Sequence, residues 1–274
     1  MNKLIPLSEM DAVRMTLFFA CIQVVVVSLE SLYHRDLYTP THLLSWKYVK
    51  YSKKLFTANP NMERVFDKIF KYPAVLYIIS LRLSMAILLI ILLFNNIFPS
   101  AAILFFCLLG LMIGWRNAYS NNGSDQMINI VLIALSIFFV LGNSGFIRAI
   151  TIAFIAFQGM LAYFTAGLYK AAIRKWLNGV YFKDIISTGI FGNRELKELM
   201  EKWSPSYKAA SLVLITWELL MGFCIFFPPT ICLCILAGGV VFHFLTALVM
   251  GLNTFFWGFL SVYPSIYFLS LKFH

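Results

Sequence analysis

Long runs of apolar residues alternate with short polar segments along most of this chain. Six runs reach or approach the roughly 20 residues that a helix needs to cross the hydrocarbon core of a bilayer. They cover residues 13–32, 74–94, 126–142, 148–169, 208–227 and 229–249. Two shorter or interrupted runs, 97–114 and 251–270, bring the expected number of spans to about eight. The pattern therefore predicts an all-α integral membrane protein.

Turn-forming residues separate neighbouring runs. Asn95-Asn96, Pro99, Gly142-Asn143-Ser144-Gly145 and Pro228-Pro229 each stand between two apolar segments. Short connections of this kind favour antiparallel helices packed up and down in one bundle. We therefore expect residues 1–274 to form a single transmembrane domain.

The composition excludes a soluble globular protein. Of the 274 residues, 61% are hydrophobic and only 12% are charged, and the mean hydropathy is +0.81. A soluble domain needs far more charge to cover its surface. All five cysteines lie in apolar runs, where cysteine behaves as a small hydrophobic residue, and the sequence indicates no metal site. Cys232 and Cys234 point about 200° apart around a helix, which is poor geometry for joint ligation.

The formal net charge of +10 is concentrated in two segments. Residues 33–73 carry eight basic and three acidic side chains, and residues 170–207 carry seven basic and four acidic ones. Four predicted spans separate the two segments, so both lie on one face of the membrane. Because Lys and Arg accumulate on the cytoplasmic side, the bias predicts two cytoplasmic basic interfacial loops with both termini outside.

Two stretches of these loops predict amphipathic interfacial helices. Residues 45–56 interleave lysines with aromatic side chains, a pattern that fits either nucleic acid or an anionic lipid surface. Beside a membrane we favour lipid, so the bilayer is the expected partner and nucleic acid is not. Residues 194–203 mix charges of both signs and predict a short helix on the surface.

Ionisable residues inside apolar runs are candidates for function because burying charge in a bilayer is costly. Arg82 and Glu30 lie in the first two runs and are expected to pair. Glu218 and His243 lie on opposite sides of the prolyl turn, at depths that differ by about 6 Å. They could hydrogen-bond directly or through water, as a clamp between helices or as a buried acid–base pair.

Two further segments carry candidate chemistry. Arg116 and Asp125 bracket a polar loop, and Asp125 also suits the N-terminal cap of the following helix. The segment Tyr163-Phe-Thr-Ala-Gly-Leu-Tyr-Lys170 ends an apolar run and leads to Trp176 and Gly179. Lys170 can extend to lipid headgroups or act as a base in a partly dry pocket.

The order of these features resembles the HTTM domain, the membrane module shared by vitamin K-dependent γ-carboxylases and a set of smaller bacterial proteins. The resemblance covers residues 114–265. It implies that Lys170, which follows Ala166-Gly167 and precedes Trp176, takes the place of the lysine thought to deprotonate reduced vitamin K. One extra residue separates Lys170 from Trp176, however, and Gly123 stands where the carboxylase has a histidine. We also expect no carboxylase-type luminal domain, and therefore no full γ-carboxylation.

The chain is most similar to the short bacterial members, typified by the sporulation-delaying-protein B family. That resemblance implies a multi-pass protein of the bacterial plasma membrane that helps to mature a secreted antimicrobial peptide together with a small partner protein. One alternative is an enzyme that uses a reduced lipid quinone, and the other is a transporter or immunity-type protein without catalysis. The candidate catalytic residues are Lys170, Glu218, His243 and Asp125, and the candidate substrate- or lipid-binding residues are Arg116, Trp176 and Arg82.

Overall fold

The computed structural model describes residues 6–53, 59–117, 121–142, 144–203 and 205–274. These residues form helices and connecting turns, with no strand among them. The α-helices are α1 (Glu9–Tyr33), α2 (Trp46–Val49), α3 (Pro60–Phe70), α4 (Ala74–Phe94), α5 (Ser100–Arg116), α6 (Gly123–Leu141), α7 (Gly145–Ala171), α8 (Arg174–Leu177), α9 (Val180–Ser187), α10 (Arg194–Glu201), α11 (Ser206–Gly222), α12 (Pro229–Met250), α13 (Asn253–Leu260) and α14 (Tyr263–Phe273). Short 3₁₀ helices cover Arg35–Tyr38, Lys50–Lys53 and Cys224–Phe226.

Within the described residues, six helical segments are long and apolar enough to cross a membrane: α1, α4, α6, α7, α12 and the continuous stretch of α13 and α14. Much of their apolar surface is uncovered within the chain, since only 28% of the α4 window and 22% of the α12 window is buried. Bare apolar helix faces of this extent suit a lipid environment. The structure thus confirms an all-helical, multi-pass membrane protein.

The two remaining apolar runs form shorter helices. Helices α5 and α11 have 17 residues each. Helix α11 ends at Gly222, five residues before the end of the predicted run 208–227, and a 3₁₀ helix continues the chain to the prolyl turn.

The chain divides into two compact units, which are described separately. The first contains residues 1–16 and 149–274, and the second contains residues 17–148. The single domain expected over residues 1–274 remains a prediction.

In the second unit, α4, α5 and α6 pack against one another in chain order. Two glycines on α5 allow the close approach of α6. A Cβ atom at Gly114 would lie 2.8 Å from the Asn129 side chain of α6, and one at Gly110 would lie 3.3 Å from it. The GxxxG spacing therefore marks a helix contact, as is common in membrane helices.

In the first unit, α11 packs against α12 and against the short helices α8, α9 and α10. The Trp217 indole of α11 donates a hydrogen bond to the Ile235 carbonyl of α12 at 3.0 Å. Glycines set these helix contacts too: the ring of Phe164 on α7 fills the space above Gly222, and the ring of Tyr263 fills the space above Gly239. Residues of helices α7 to α13 line the site described next, and Tyr263 of α14 hydrogen-bonds to one of them.

Candidate functional site

A buried ion pair joins α7 to α11. The Lys170 Nζ atom lies 2.6 Å from Glu218 Oε1 and 2.7 Å from Oε2, so the ammonium group donates to both carboxylate oxygens. The two side chains are only 16% and 7% exposed. A Cβ atom at Gly167, one turn before Lys170, would stand 3.0 Å from the Glu218 Cβ. The absence of a side chain at Gly167 is thus what lets the two helices come close enough to pair.

The segment after α7 folds back and covers the lysine. The Lys170 ammonium lies 5.5 Å from the centre of the Trp176 ring, a cation–π distance. Trp176 is held in place by its carbonyl, which accepts a hydrogen bond of 2.6 Å from Ser211 on α11. Gly179 follows with φ of +77° and packs directly on the backbone of residues 207–208. A side chain at Gly179 would be strained by its backbone conformation and would also collide with that backbone.

A second group of hydrogen-bonded side chains lies in the same unit, one to two helical turns from the Lys170–Glu218 pair. The Tyr163 hydroxyl lies 2.6 Å from His243 Nε2 and 2.8 Å from the Tyr263 hydroxyl. All three side chains are at least nine-tenths buried. The His243 ring stacks on Phe259 at 5.0 Å between centroids, which fixes its plane. Two hydroxyls and an imidazole in contact form a short path along which a proton can move.

Both polar groups face one cavity of about 470 Å³. Lys170, Glu218, Tyr163 and His243 lie in its wall, and Trp176 closes one side. The rest of the wall is almost wholly apolar, with Phe242, Phe255, Phe259, Leu214, Leu245 and Val249 among its residues. The volume falls in the range of sites for small molecules, which are mostly apolar with a few placed polar groups.

The chemistry of the ion pair follows from its burial. In water an ammonium group and a carboxylate both stay charged, but removing them from water penalises the charged forms. Moving one proton from Lys170 to Glu218 would leave an amine and a carboxylic acid, both neutral. Either residue can therefore exchange a proton with a ligand bound at this pair.

Arg116 has a structural setting in the second unit. Its side chain is 0% exposed. It donates hydrogen bonds to the Leu44 carbonyl at 2.7 Å and the Phe70 carbonyl at 3.3 Å, and it stacks on the Tyr38 ring at 4.9 Å. A guanidinium committed to these contacts holds the segment before α2 and the end of α3 against α5. The substrate- or lipid-binding role expected of Arg116 stays a prediction.

Arg82 and Asp125 also lie in the second unit. Arg82 does not pair with Glu30. Glu30 is exposed, whereas the Arg82 side chain is buried, and the negative charge that stabilises the Arg82 guanidinium is that of Asp125. Asp125 forms a capping box with Asn122 at the start of α6, as the sequence predicts, and it accepts a hydrogen bond from Gln23 at 3.3 Å.

Of the predicted site residues, the structure brings Lys170, Glu218, His243 and Trp176 together around the cavity. Glu218 and His243 line the same wall but have different partners, Lys170 and Tyr163, and no direct hydrogen bond joins them. Tyr163 and Tyr263 were missed, because the sequence alone does not show that a tyrosine in an apolar run is buried. Tyr163 precedes Lys170 by seven residues, two helical turns on one face, and that spacing could have indicated it.

Comparisons with known proteins add no further assignment. No protein-family model, no curated protein and no solved structure matches this chain.

Proposed function

We propose that this protein binds a lipophilic, weakly acidic molecule from the bilayer and transfers a proton to or from it. The observation that supports this is the apolar cavity into which a Lys–Glu pair and a Tyr–His pair both face. An apolar wall favours a hydrophobic ligand body, and the polar groups favour a protic headgroup at one side of it.

A reduced lipid quinone is the ligand class that best suits these residues. The aromatic and aliphatic wall formed by Phe242, Phe255 and Phe259 would hold the ring and the first part of the tail. Lys170 and Glu218 would hydrogen-bond to one quinol hydroxyl, and His243 would hydrogen-bond to the other. When bound, a quinol would supply an acidic hydroxyl. The chain's own residues bind the headgroup, exclude water and accept the proton.

Filling the cavity tests this proposal. Ala162 lies in the cavity wall on α7, and Ala162→Phe would place a phenyl ring in the space that the ligand needs. Purified protein in lipid nanodiscs would be titrated with a short-tailed naphthoquinone while tryptophan fluorescence is followed, and the quinol would then be added as a competitor. We expect saturable quenching in the unaltered protein and at least tenfold weaker binding in Ala162→Phe.

Ala153→Phe is the matched control. Ala153 lies on the same helix, is partly buried and is not part of the cavity wall. The control variant should bind as the unaltered protein does. Equal binding by all three proteins would contradict the proposal.

The maturation of an exported peptide remains a separate proposal that rests on the family resemblance. Mass spectrometry of the secreted peptides of a host, with and without this chain, tests it through a mass change that needs the protein. The transporter alternative predicts instead that a substrate crosses liposomes without any covalent product.

We also propose that α5 and α11 complete a bundle of eight spans in a bacterial plasma membrane. At 17 residues each they are about 26 Å long, close to the roughly 30 Å of a bilayer core. The packing of α5 between α4 and α6, and of α11 against α12, supports this assignment.

A further inference from the structure

Two cysteine thiols meet at the prolyl turn between α11 and α12. Cys224 begins the 3₁₀ helix after α11, and Cys232 lies in the first turn of α12. Their sulfur atoms are 2.9 Å apart, and the Cys224 thiol also lies 3.6 Å from the Cys232 carbonyl. The other three cysteines have no sulfur partner among the residues that the structure describes.

The surroundings hold the two thiols against each other. Both are 0% exposed, and the 3₁₀ helix that carries Cys224 packs on α12 and α14. Pro228 and Pro229 fix the connection between the two cysteines. Cys234, two residues further on, is exposed and points away. The fold therefore holds the two thiols in a contact from which a disulfide can form.

We propose that Cys224 and Cys232 form a reversible disulfide whose oxidant is a lipid-soluble quinone. The sulfur atoms need only approach from 2.9 Å to about 2.05 Å for the bond to form. Both S–H bonds break and one S–S bond forms; the two electrons and two protons released convert one quinone to its quinol. Phe223 and Phe226 beside the pair are 48% and 58% exposed, so a bilayer-soluble oxidant can reach this segment, and a local opening of the segment would expose the buried thiols to it.

The bond would fasten the end of α11 to α12. Glu218 lies on α11 and His243 on α12, and the Trp217–Ile235 hydrogen bond joins the same two helices. A disulfide at the turn would restrict the separation of these helices. The oxidation state of the pair would thus set how firmly the wall of the cavity is held.

Thiol counting tests the proposal on the full chain in native-like membranes. The protein would be treated with a decyl benzoquinone that is fully substituted, so that no thiol can add to its ring. It would then be denatured and labelled with a maleimide–polyethylene glycol. We expect the reduced protein to take five labels and the oxidised protein to take three, with dithiothreitol restoring all five.

Single variants identify the partners. Cys224→Ser and Cys232→Ser should each lose no labels on oxidation, whereas Cys234→Ser should still lose two. Ala162→Phe should also lose two, because neither cysteine lines the cavity; this keeps the result independent of the proposed function. Full labelling of the unaltered protein after quinone treatment would overturn the proposal, even if diamide oxidises the pair, as would loss of two labels in Cys232→Ser.

Discussion

At the scale of single residues, the role of Lys170 depends on its partner. A lysine that faces only headgroups would be replaceable, but this one holds a carboxylate that is itself almost fully buried. Breaking a buried ion pair leaves an uncompensated charge, whereas replacing both partners with apolar residues is often close to neutral.

We therefore expect Lys170→Met to lower the free energy of unfolding by ~3 kcal/mol. The double variant Lys170→Met/Glu218→Leu should recover most of that loss and lie within about 1 kcal/mol of the unaltered protein. Unfolding curves in detergent would measure both. A single variant as stable as the double one would show that Glu218 is not paired with Lys170.

Gly179 offers a second test at this scale. It shares a positive φ with Gly251, but a Cβ at Gly179 would press on the backbone of residues 207–208 while one at Gly251 would meet open space. Gly251→Ala should therefore cost about 1 kcal/mol from backbone strain alone. Gly179→Ala should cost clearly more, measured by thermal unfolding. Equal losses would mean that the segment after α7 does not pack on α11 as described.

The sequence could identify several residues but not their partners. Lys170, Glu218 and His243 were visible because polar side chains stand out in apolar runs. Which pairs form depends on which helix faces meet, and this is decided by small residues such as Gly167, whose role needs the neighbouring helix to be known. The same reason explains the wrong pairing of Arg82 with Glu30.

At the scale of elements, α2 and α3 are joined by an electrostatic network. The Trp46 indole donates to Asp67 at 2.7 Å, and the Lys71 ammonium lies 2.9 Å from the same carboxylate. Burial alone would raise the pKa of Asp67. Hydrogen bonds from Lys71 and Trp46, together with the charges of Lys50 and Lys71, outweigh it and lower the pKa below its usual value.

This shift predicts a dependence of stability on pH. Because the pKa of Asp67 is lower in the folded than in the unfolded protein, its stabilisation is present above pH ~4 and is lost as the pH falls through the folded value. Asp67→Asn should be less stable by about 1 kcal/mol at pH 7, and the gap should close towards pH 3. Thermal midpoints of both proteins across this range would measure it. The control Asp184→Asn removes an exposed carboxylate; a constant gap for Asp67→Asn would refute the assignment.

The elements themselves were largely predictable, and their ends were not. Hydropathy located the spans, since length and apolarity suffice for that. It could not locate the end of α11, because residues 223–227 are as apolar as the helix before them. The break between α13 and α14 is hidden in the same way, with Pro264 as its only signal.

At the scale of the whole molecule, the expected functional residues separate into two groups. Lys170, Glu218 and His243 belong to the first unit, whereas Asp125, Arg82 and Arg116 belong to the second. The order of polar residues along a membrane protein does not reveal such a division, because every span crosses the same depth. In the first unit, the polar groups line one cavity and can therefore act on one ligand.

The most direct test of ligand binding at this cavity uses the double variant Lys170→Met/Glu218→Leu. This variant should remain folded, so a loss of binding would reflect the loss of the two polar side chains and not unfolding of the protein. The affinity of the protein in nanodiscs for the naphthoquinol would be measured by competition with the quenching naphthoquinone. We predict that the double variant binds the quinol at least tenfold more weakly than the unaltered protein; unchanged affinity would contradict the assignment of the Lys170–Glu218 pair to the ligand headgroup.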